Sequence, residues 1–461
     1  MSRKIFQHRS RIEVPAHEVF RWHARVGAFE RLNPPWEPAR IESRTGGVED
    51  EGARVVLRVG PFRTRWVAEH HGCVPGREFR DRQVTGPFAV WDHVHRMDPD
   101  GENACVLEDR IEYALPGGAL GAFLGGAAVR SLLHRMFAYR HRVTADDLAA
   151  HTACRGGRAM KVAVTGASGL VGSALVPFLT TGGHEVIRLV RRPPRGEGEV
   201  RWDPARGEID AASLEGVDAV VHLSGENIAG GRWTEARKGR LRDSRVDSTG
   251  LLARTLAALK RPPKVLASTS AVGIYGSRGD EWISEAAPPG DDFLARLGVE
   301  WEAAAEPARE AGIRVVHPRL GLVLSPAGGA LGKMLPPFRA GLGGVVGPGT
   351  QYMSWVALDD VLGALHHALV TDGMVGPFNL VAPVPATNRD FTKTLGRVLS
   401  RPTVAPVPAF ALRLALGSEM ADATLLASSR VRPDVLLESG YAFRFPALEG
   451  ALRHVLGRTE A

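Results

Sequence analysis

At 461 residues the chain is too long for one ordinary domain, and its 44% hydrophobic and 24% charged residues are those of a soluble globular protein. No run approaches the roughly 18 apolar residues of a membrane span, and the N-terminal MSRKIFQHRS lacks the apolar core of a secretion signal. The net charge of +7 is spread thinly: residues 1–158 carry 24 Lys/Arg against 20 Asp/Glu, the remainder 34 against 31, and with no basic block this argues against a nucleic-acid partner.

The first strand reads KIFQHRSRIEV (4–14). PAHEVFRWHARVGAFERLN (15–33) follows, with Pro15 at its start and Val19, Phe20, Trp22, Val26 and Phe29 at helical spacing. Between Arg40 and Leu115 come RVVLRVG, RTRWVAEH, REFRDRQVTG, AVWDHVHRM and ACVLEDRIEYAL, strand-like runs separated by turn residues as in an antiparallel meander. A helix from about Leu120 to Ala150 closes this part. HTACRGGRAM (151–160) then marks a seam, dividing a domain over 1–157 from one over 158–461 with a small C-terminal region from about 370. No internal repeat of 20–50 residues is visible.

A strand, two short helices, a curved antiparallel sheet and a long closing helix, opened by P-A-x-x-V-F, resemble the START-like polyketide cyclase and lipid-transport superfamily over about 150 residues. The resemblance implies an α+β helix-grip fold. Such a fold either leaves an apolar cavity for a hydrophobic ligand or closes on a filled core with a docking role. This part holds ten of the sixteen histidines. His93 and His95 point to one face of a strand, and His70 and His71 lie on a neighbouring run. No Cys, Asp or Glu completes a ligand set in recognisable spacing, so solvent-facing strand histidines are expected and no metal site. Three cysteines (Cys73, Cys105, Cys154), odd in number, fit a reducing, cytoplasmic setting.

After the seam, strands alternate with helices, the pattern of a doubly wound parallel sheet. KVAVTG is a buried strand, SALVPFLTTGGHEV the crossover helix with its glycine stop, and EVIRLVRR the second strand. Between the first two, Gly166, Gly169 and Gly172 stand at dinucleotide-loop spacing, with Ser168, Leu170 and Val171 between them. Gly166 serves the tight turn, Gly169 the close approach of pyrophosphate, and Gly172 helix–sheet packing. The helix start offers free N–H groups to the anion. Arg191 and Arg192 end the second strand where NAD-binding versions carry an acid, which favours the 2′-phosphate of NADP over NAD. RWDP, with Asp203, and DAVVHLSGEN, ending in Leu223, Ser224 and Gly225, extend the same surface. KVLASTSAVGIYG adds Ser268, Thr269 and Ser270 at a further strand end.

TGxxGxxG, H-L-x-G and a Ser-rich strand followed by Y-G resemble the extended short-chain dehydrogenase/reductase superfamily. RWTEARKGRLRDSRVDST, FLARLGVEWEAAA, GGALGKMLPPFRAGLGG and YMSWVALDD narrow this to an epimerase/dehydratase-like branch, covering about 300 residues from Lys161. The resemblance implies a Rossmann fold and a nicotinamide cofactor. The superfamily's catalytic pair, a tyrosine and a lysine four residues later, is absent. Four residues after the five tyrosines lie Gly117, Val143, Gly279, Val356 and Phe445, and the expected positions read Phe293 and Leu297. An expected asparagine reads Arg245, placed to reach a cofactor phosphate, and the branch's usual histidine in S-W-I-H reads Ala357. Ser270, as partner of a substrate carbonyl, and Tyr275, as proton donor, remain the catalytic candidates. No cation in the sequence is seen to tune Tyr275. The glycines of 328–349 suggest a flexible loop over the substrate side with Lys333 as its only amine. Two functions follow: an NADP(H)-binding epimerase- or oxidoreductase-like protein acting on a small or hydrophobic carbonyl compound, or a non-catalytic NADPH-binding sensor with a ligand-binding front domain.

Overall fold

The computed structural model describes residues 3–37, 39–60, 63–153 and 159–458. The chain divides into two compact units, one of Met1–Gly156 with Pro177–Gly183 and His454–Ala461, the other of Gly157–Val176 with His184–Arg453. Within the seam, 154–158, and with them Cys154, lie outside the described residues.

In the first unit, strand β1 (Lys4–Ile12) precedes helices α1 (Ala16–Ala24) and α2 (Ala28–Leu32). Strands β2 (Ala39–Arg44), β3 (Arg54–Val59), β4 (Thr64–Val74), β5 (Glu78–Thr85), β6 (Val90–Pro99) and β7 (Cys105–Ala114) follow, and helix α3 (Gly118–Ala153) closes the unit. Gly27, at φ +101°, divides the helical stretch into two helices, a conformation glycine reaches without a Cβ penalty. Val19 and Trp22 are fully buried, whereas Val26 falls in that break and is exposed. The sheet is antiparallel in the order β1-β7-β6-β5-β4-β3-β2. Its first strand therefore pairs with its last, Lys4 opposite Tyr113. The core does not fill the grip: a cavity of about 660 Å³ remains, lined by Trp66, Phe79, Phe88, Trp91 and Leu133 among others.

The sheet of the second unit runs, edge to edge, Glu208–Ile209, Glu199–Asp203, Glu185–Val190, Lys161–Thr165, Ala219–His222, Val265–Ser268 and Arg314–Leu320, the last flanked by Ser270–Ala271 and Gly376–Leu380. All pairings are parallel except that of Glu208–Ile209. Val162, Ala163 and Val164 and their partners Ala219, Val220 and Val221 are fully buried, as strands covered on both faces must be. Strand order reverses between Lys161–Thr165 and Ala219–His222, the switch point at whose carboxyl edge such folds bind ligands. Toward the C-terminus, Trp282–Ile283 pairs with Arg430–Val431, and short helices such as Ala409–Leu416 and Asp434–Glu438 make up a smaller region. Among the described residues no helix is long and apolar enough to cross a membrane.

Candidate functional site

Gly166 turns the chain at φ +65°. A Cβ there would stand 2.8 Å from the carbonyl carbon and oxygen of Leu223, so the loop and the end of the adjoining strand touch backbone to backbone. Gly172 opens the helix Gly172–Thr181, and its Cβ would lie 2.3 Å from the Gly166 oxygen. This glycine lets the helix start close directly onto the turn that ends the strand Lys161–Thr165. Gly169 differs, because its Cβ would meet the Gly166 oxygen alone, at 3.2 Å. The Gly169 N–H donates to the Gly166 carbonyl at 2.9 Å. The N–H groups of Ser168, Leu170, Val171 and Gly172 find no acceptor among the described residues. Four unengaged donors at a helix start make a cradle for an anion. The Leu170 side chain abuts Gly328 and Gly329, and the flexible loop expected there contains a helix, Gly329–Arg339. Lys333 on that helix donates to the Ala229 carbonyl at 2.9 Å.

Beneath the cradle lies His222, fully buried. Its Nδ1 is 2.8 Å from Thr165 Oγ1, which in turn accepts the Leu223 N–H at 3.1 Å. Burial pulls the His222 imidazole down to about 4, so it is neutral at physiological pH. Leu223, Ser224 and Gly225 leave the strand at the switch point, and Arg245 lies against Gly225. That guanidinium is buried. It donates to the Leu241 and Glu226 carbonyls at 3.0 Å and stands over the Trp301 ring. Burial lowers it to about 10, against the pull of the Glu226 carboxylate. Arg245 thus fastens the loop from below, in place of the phosphate contact expected of it.

The two arginines after Glu185–Val190 part company. Arg192 makes a bidentate pair with Glu199, at 2.7 and 2.6 Å. Those hydrogen bonds, with the Arg195 N–H, hold Glu199 down to about 2. Arg191 is exposed, and its guanidinium has no partner among the described residues. Asp203, at the carboxyl end of the next strand, is held by Arg201 at 3.2 Å.

Ser268, Thr269 and Ser270 are buried at the end of the fifth parallel strand. Ser268 Oγ has no hydrogen-bond partner among the described residues, and its carbonyl faces His317 Nδ1 at 3.2 Å. Tyr275 lies on a 3-10 turn, Val272–Tyr275, fully buried among Ile274, Ile283, Val381 and Val431. Its hydroxyl donates to Asn379 Oδ1 and accepts from Arg319 Nη1, both at 2.8 Å. A cation does therefore stand beside Tyr275, contrary to the sequence reading. Burial nevertheless outweighs Arg319 and raises the phenol. A hydroxyl buried and bonded on both sides has no route to a substrate, so Tyr275 is a structural group and not the proton donor expected.

Arg319 is itself clamped bidentately by Glu302 at 2.8 Å. Arg319, Asn379 and Ser270 occupy register positions on adjoining strands. Sequence reading missed Arg319 and Asn379; the sign was a charge inside the otherwise apolar RVVHPRLGLVL, where the strand is covered on both faces. At the positions of the absent pair, Phe293 starts the helix Phe293–Ala303 and Leu297 is buried within it. Trp233 packs edge-on to Phe293, and Lys238 Nζ stands 5.5 Å from that ring.

The front histidines also depart from expectation. His93 is buried, not solvent-facing, and Asp81 does complete a set with His93 and His95. Cross-strand register, invisible to spacing along the chain, sets Asp81 opposite His93 and Asp109 opposite His95.

With this geometry in view, comparison with known proteins is consistent throughout. Residues 162–380 match the NAD dependent epimerase/dehydratase family, 12–137 the polyketide cyclase / dehydrase and lipid transport family, and 407–455 a domain of unknown function. Epimerase family protein Mb2239 of Mycobacterium bovis is 44% identical over 297 residues, which are 64% of this chain and 98% of that protein. The crystal structure of a nucleoside-diphosphate sugar epimerase from Corynebacterium glutamicum matches with a TM-score of 0.81 and 35% identity, over 98% of this chain and 90% of that one. That of human epimerase family protein SDR39U1 (isoform 2) with NADPH matches at 0.60 and 38% identity, over 64% of this chain and 99% of its own. The chain belongs to the NAD-dependent epimerase/dehydratase family, an NAD(P)-binding Rossmann protein with a polyketide cyclase-like N-terminal region.

Proposed function

We propose that the second unit holds NADP(H) in the Gly166–Gly172 cradle and acts, epimerase- or oxidoreductase-like, on a small or hydrophobic carbonyl compound without a Tyr/Lys pair. One observation carries the cofactor choice: Arg192 is engaged by Glu199 while Arg191 is exposed and unengaged. A free cation at this strand end suits a 2′-phosphate and replaces the acid that would hold a ribose hydroxyl. The N–H groups of Ser168, Leu170, Val171 and Gly172 would take the pyrophosphate. Asp203, Leu223, Ser224, Gly225 and the unpartnered Ser268 hydroxyl would line the nucleotide side, and Arg245 would keep the 223–226 loop in place. When bound, the nicotinamide supplies or accepts hydride. Ser270 would bind the substrate carbonyl. The human relative crystallised with NADPH supports this reading, and the cavity of the first unit supports a hydrophobic ligand there.

A second reading, a non-catalytic NADPH-binding sensor, is favoured by the locked Tyr275 and by Phe293 and Leu297 at the catalytic positions. Fluorescence titration of the full chain tests the cofactor. NADPH should bind more tightly than NADH by roughly 10- to 100-fold, the worth of one or two charge-assisted hydrogen bonds. Arg191→Ala should abolish that preference and Arg192→Ala should not. Equal affinity of the wild type for both nucleotides would refute the NADP assignment. NADPH oxidation with a panel of aldehydes and ketones then separates the two readings: turnover supports the first, and tight binding without turnover the second.

A further inference from the structure

We infer that the first unit contains a divalent transition-metal site built by Asp81, His93 and His95 and open on its remaining side to the apolar cavity. Three heteroatoms converge there. Asp81 Oδ2 lies 3.2 Å from both His93 Nδ1 and His95 Nε2. All three fall within 4.8 Å of one another. Around a tetrahedral ion with bonds of about 2.0–2.1 Å, ligand atoms sit about 3.3 Å apart, so the spacing already approximates a ligand set.

What surrounds these groups strengthens the case. The other nitrogen of each histidine, His93 Nε2 and His95 Nδ1, lies 2.7 Å from Asp109 Oδ1. The second carboxylate oxygen is 2.6 Å from His141 Nε2. Asp109, fixed by His141, thus engages the outer nitrogens of both imidazoles and aims their inner nitrogens at Asp81. Carboxylates arranged in this way orient and tauten metal-bound histidines. The ring of His95 is further held by stacking on Phe79, with centroids 4.2 Å apart, and that of His93 by an edge contact with Phe137. Nitrogen and carboxylate donors suit zinc, iron or a neighbouring divalent metal over a soft ion.

Asp81, His93 and His95 all line the cavity of about 660 Å³. A three-ligand ion with an open position there would engage a largely apolar molecule through one oxygen donor, such as a carbonyl, enolate or phenolate. Arg140, on the same wall, would complement its negative charge.

Cobalt(II) titration of the untagged, chelator-treated full chain, followed by visible absorption, tests the site. One equivalent should bind and give the d–d bands of a low-coordinate nitrogen/oxygen site. Asp81→Asn and His95→Gln should weaken binding by at least about 100-fold, and Asp109→Asn by roughly 10- to 100-fold, as outer-sphere carboxylates do, with near-UV circular dichroism reporting that the fold is kept. Independently of any variant, X-ray absorption of the zinc-loaded wild-type chain should show two imidazoles and only nitrogen or oxygen in the first sphere. Substoichiometric binding by the wild type, sulfur in the first sphere, or wild-type affinity in folded Asp81→Asn overturns the inference.

Discussion

Alanine at Gly169 and at Gly166 separates the two duties of the nucleotide loop. At Gly166, alanine must hold φ +65°, which costs an L-residue roughly 1–2 kcal/mol. Its Cβ would also press on the Leu223 backbone at 2.8 Å, strain worth about 1–3 kcal/mol. The sum lowers the melting temperature of the second unit by on the order of 10 °C. At Gly169 the backbone lies outside the left-handed region, and the new Cβ meets one carbonyl oxygen at 3.2 Å and nothing else within 4 Å. Its melting temperature should stay within about 2 °C of wild type. Gly169 nevertheless sits in the same short loop as the unengaged N–H groups of Ser168, Leu170, Val171 and Gly172. On the proposed cofactor placement, a methyl group there removes one or two charge-assisted hydrogen bonds to pyrophosphate, roughly 1.5–3 kcal/mol each, and NADPH affinity should fall at least tenfold. Differential scanning fluorimetry and NADPH fluorescence on the two full-length variants give both quantities. A Gly169→Ala protein that binds NADPH like wild type would show that the anion sits elsewhere. One as unstable as Gly166→Ala would refute the division of roles.

Arg319→Leu strands the half-buried Glu302 carboxylate and should destabilise the second unit by up to about 3–5 kcal/mol, whereas Arg319→Leu with Glu302→Leu should recover most of the loss; a double variant no more stable than the single, by urea denaturation, would exclude the pair as the cause. His222 is neutral when folded, with its imidazole near 4, and reverts to about 6.5 on unfolding. The unfolded chain therefore binds more protons across that window, and stability falls by roughly 3 kcal/mol as pH drops from 6.5 to 4. His222→Asn, which keeps an acceptor near Thr165, should flatten that part of the pH–stability curve; an unchanged slope contradicts the assignment. Ala68→Trp, on the cavity wall, should abolish binding of an apolar fluorescent probe with little change in melting temperature, and retained binding would locate the probe outside the cavity.

The parts legible from sequence were those written in local periods. Residues 161–190 declare strand, glycine turn, helix and strand because each uses near neighbours, and the meander of the first unit is punctuated by its own turns. What stayed hidden depends on register. Asp81 and His93 are twelve residues apart in sequence yet directly opposed on β5 and β6. No spacing rule finds such a pair, because ligands on different strands obey sheet geometry and not chain periodicity. Arg319 was hidden in the same way, its partners Tyr275, Glu302 and Asn379 being brought to it from three other segments.

The surroundings of Tyr275 bear on what the Rossmann unit can do. A tyrosine serves as a proton donor when a neighbouring cation lowers its pKa and its hydroxyl faces the reacting carbonyl. Arg319 fulfils the first condition only in appearance, since Glu302 neutralises it and burial still raises the phenol. The second fails outright, because Asn379 takes the proton and no side of the ring is exposed. The network instead ties the Ser-rich strand to its neighbours through Ser270–Arg319 and Arg319–Asn379 register pairs. It fixes the edge on which Ser268 and Ser270 stand. On the proposed reading the nucleotide is held by backbone donors, a free arginine and a rigid strand end, while proton transfer has no dedicated phenol. With Ser270 proposed as the partner of the substrate carbonyl, Ser270→Ala is where catalysis and mere binding part: it should abolish NADPH oxidation and leave NADPH affinity intact if the unit is an enzyme.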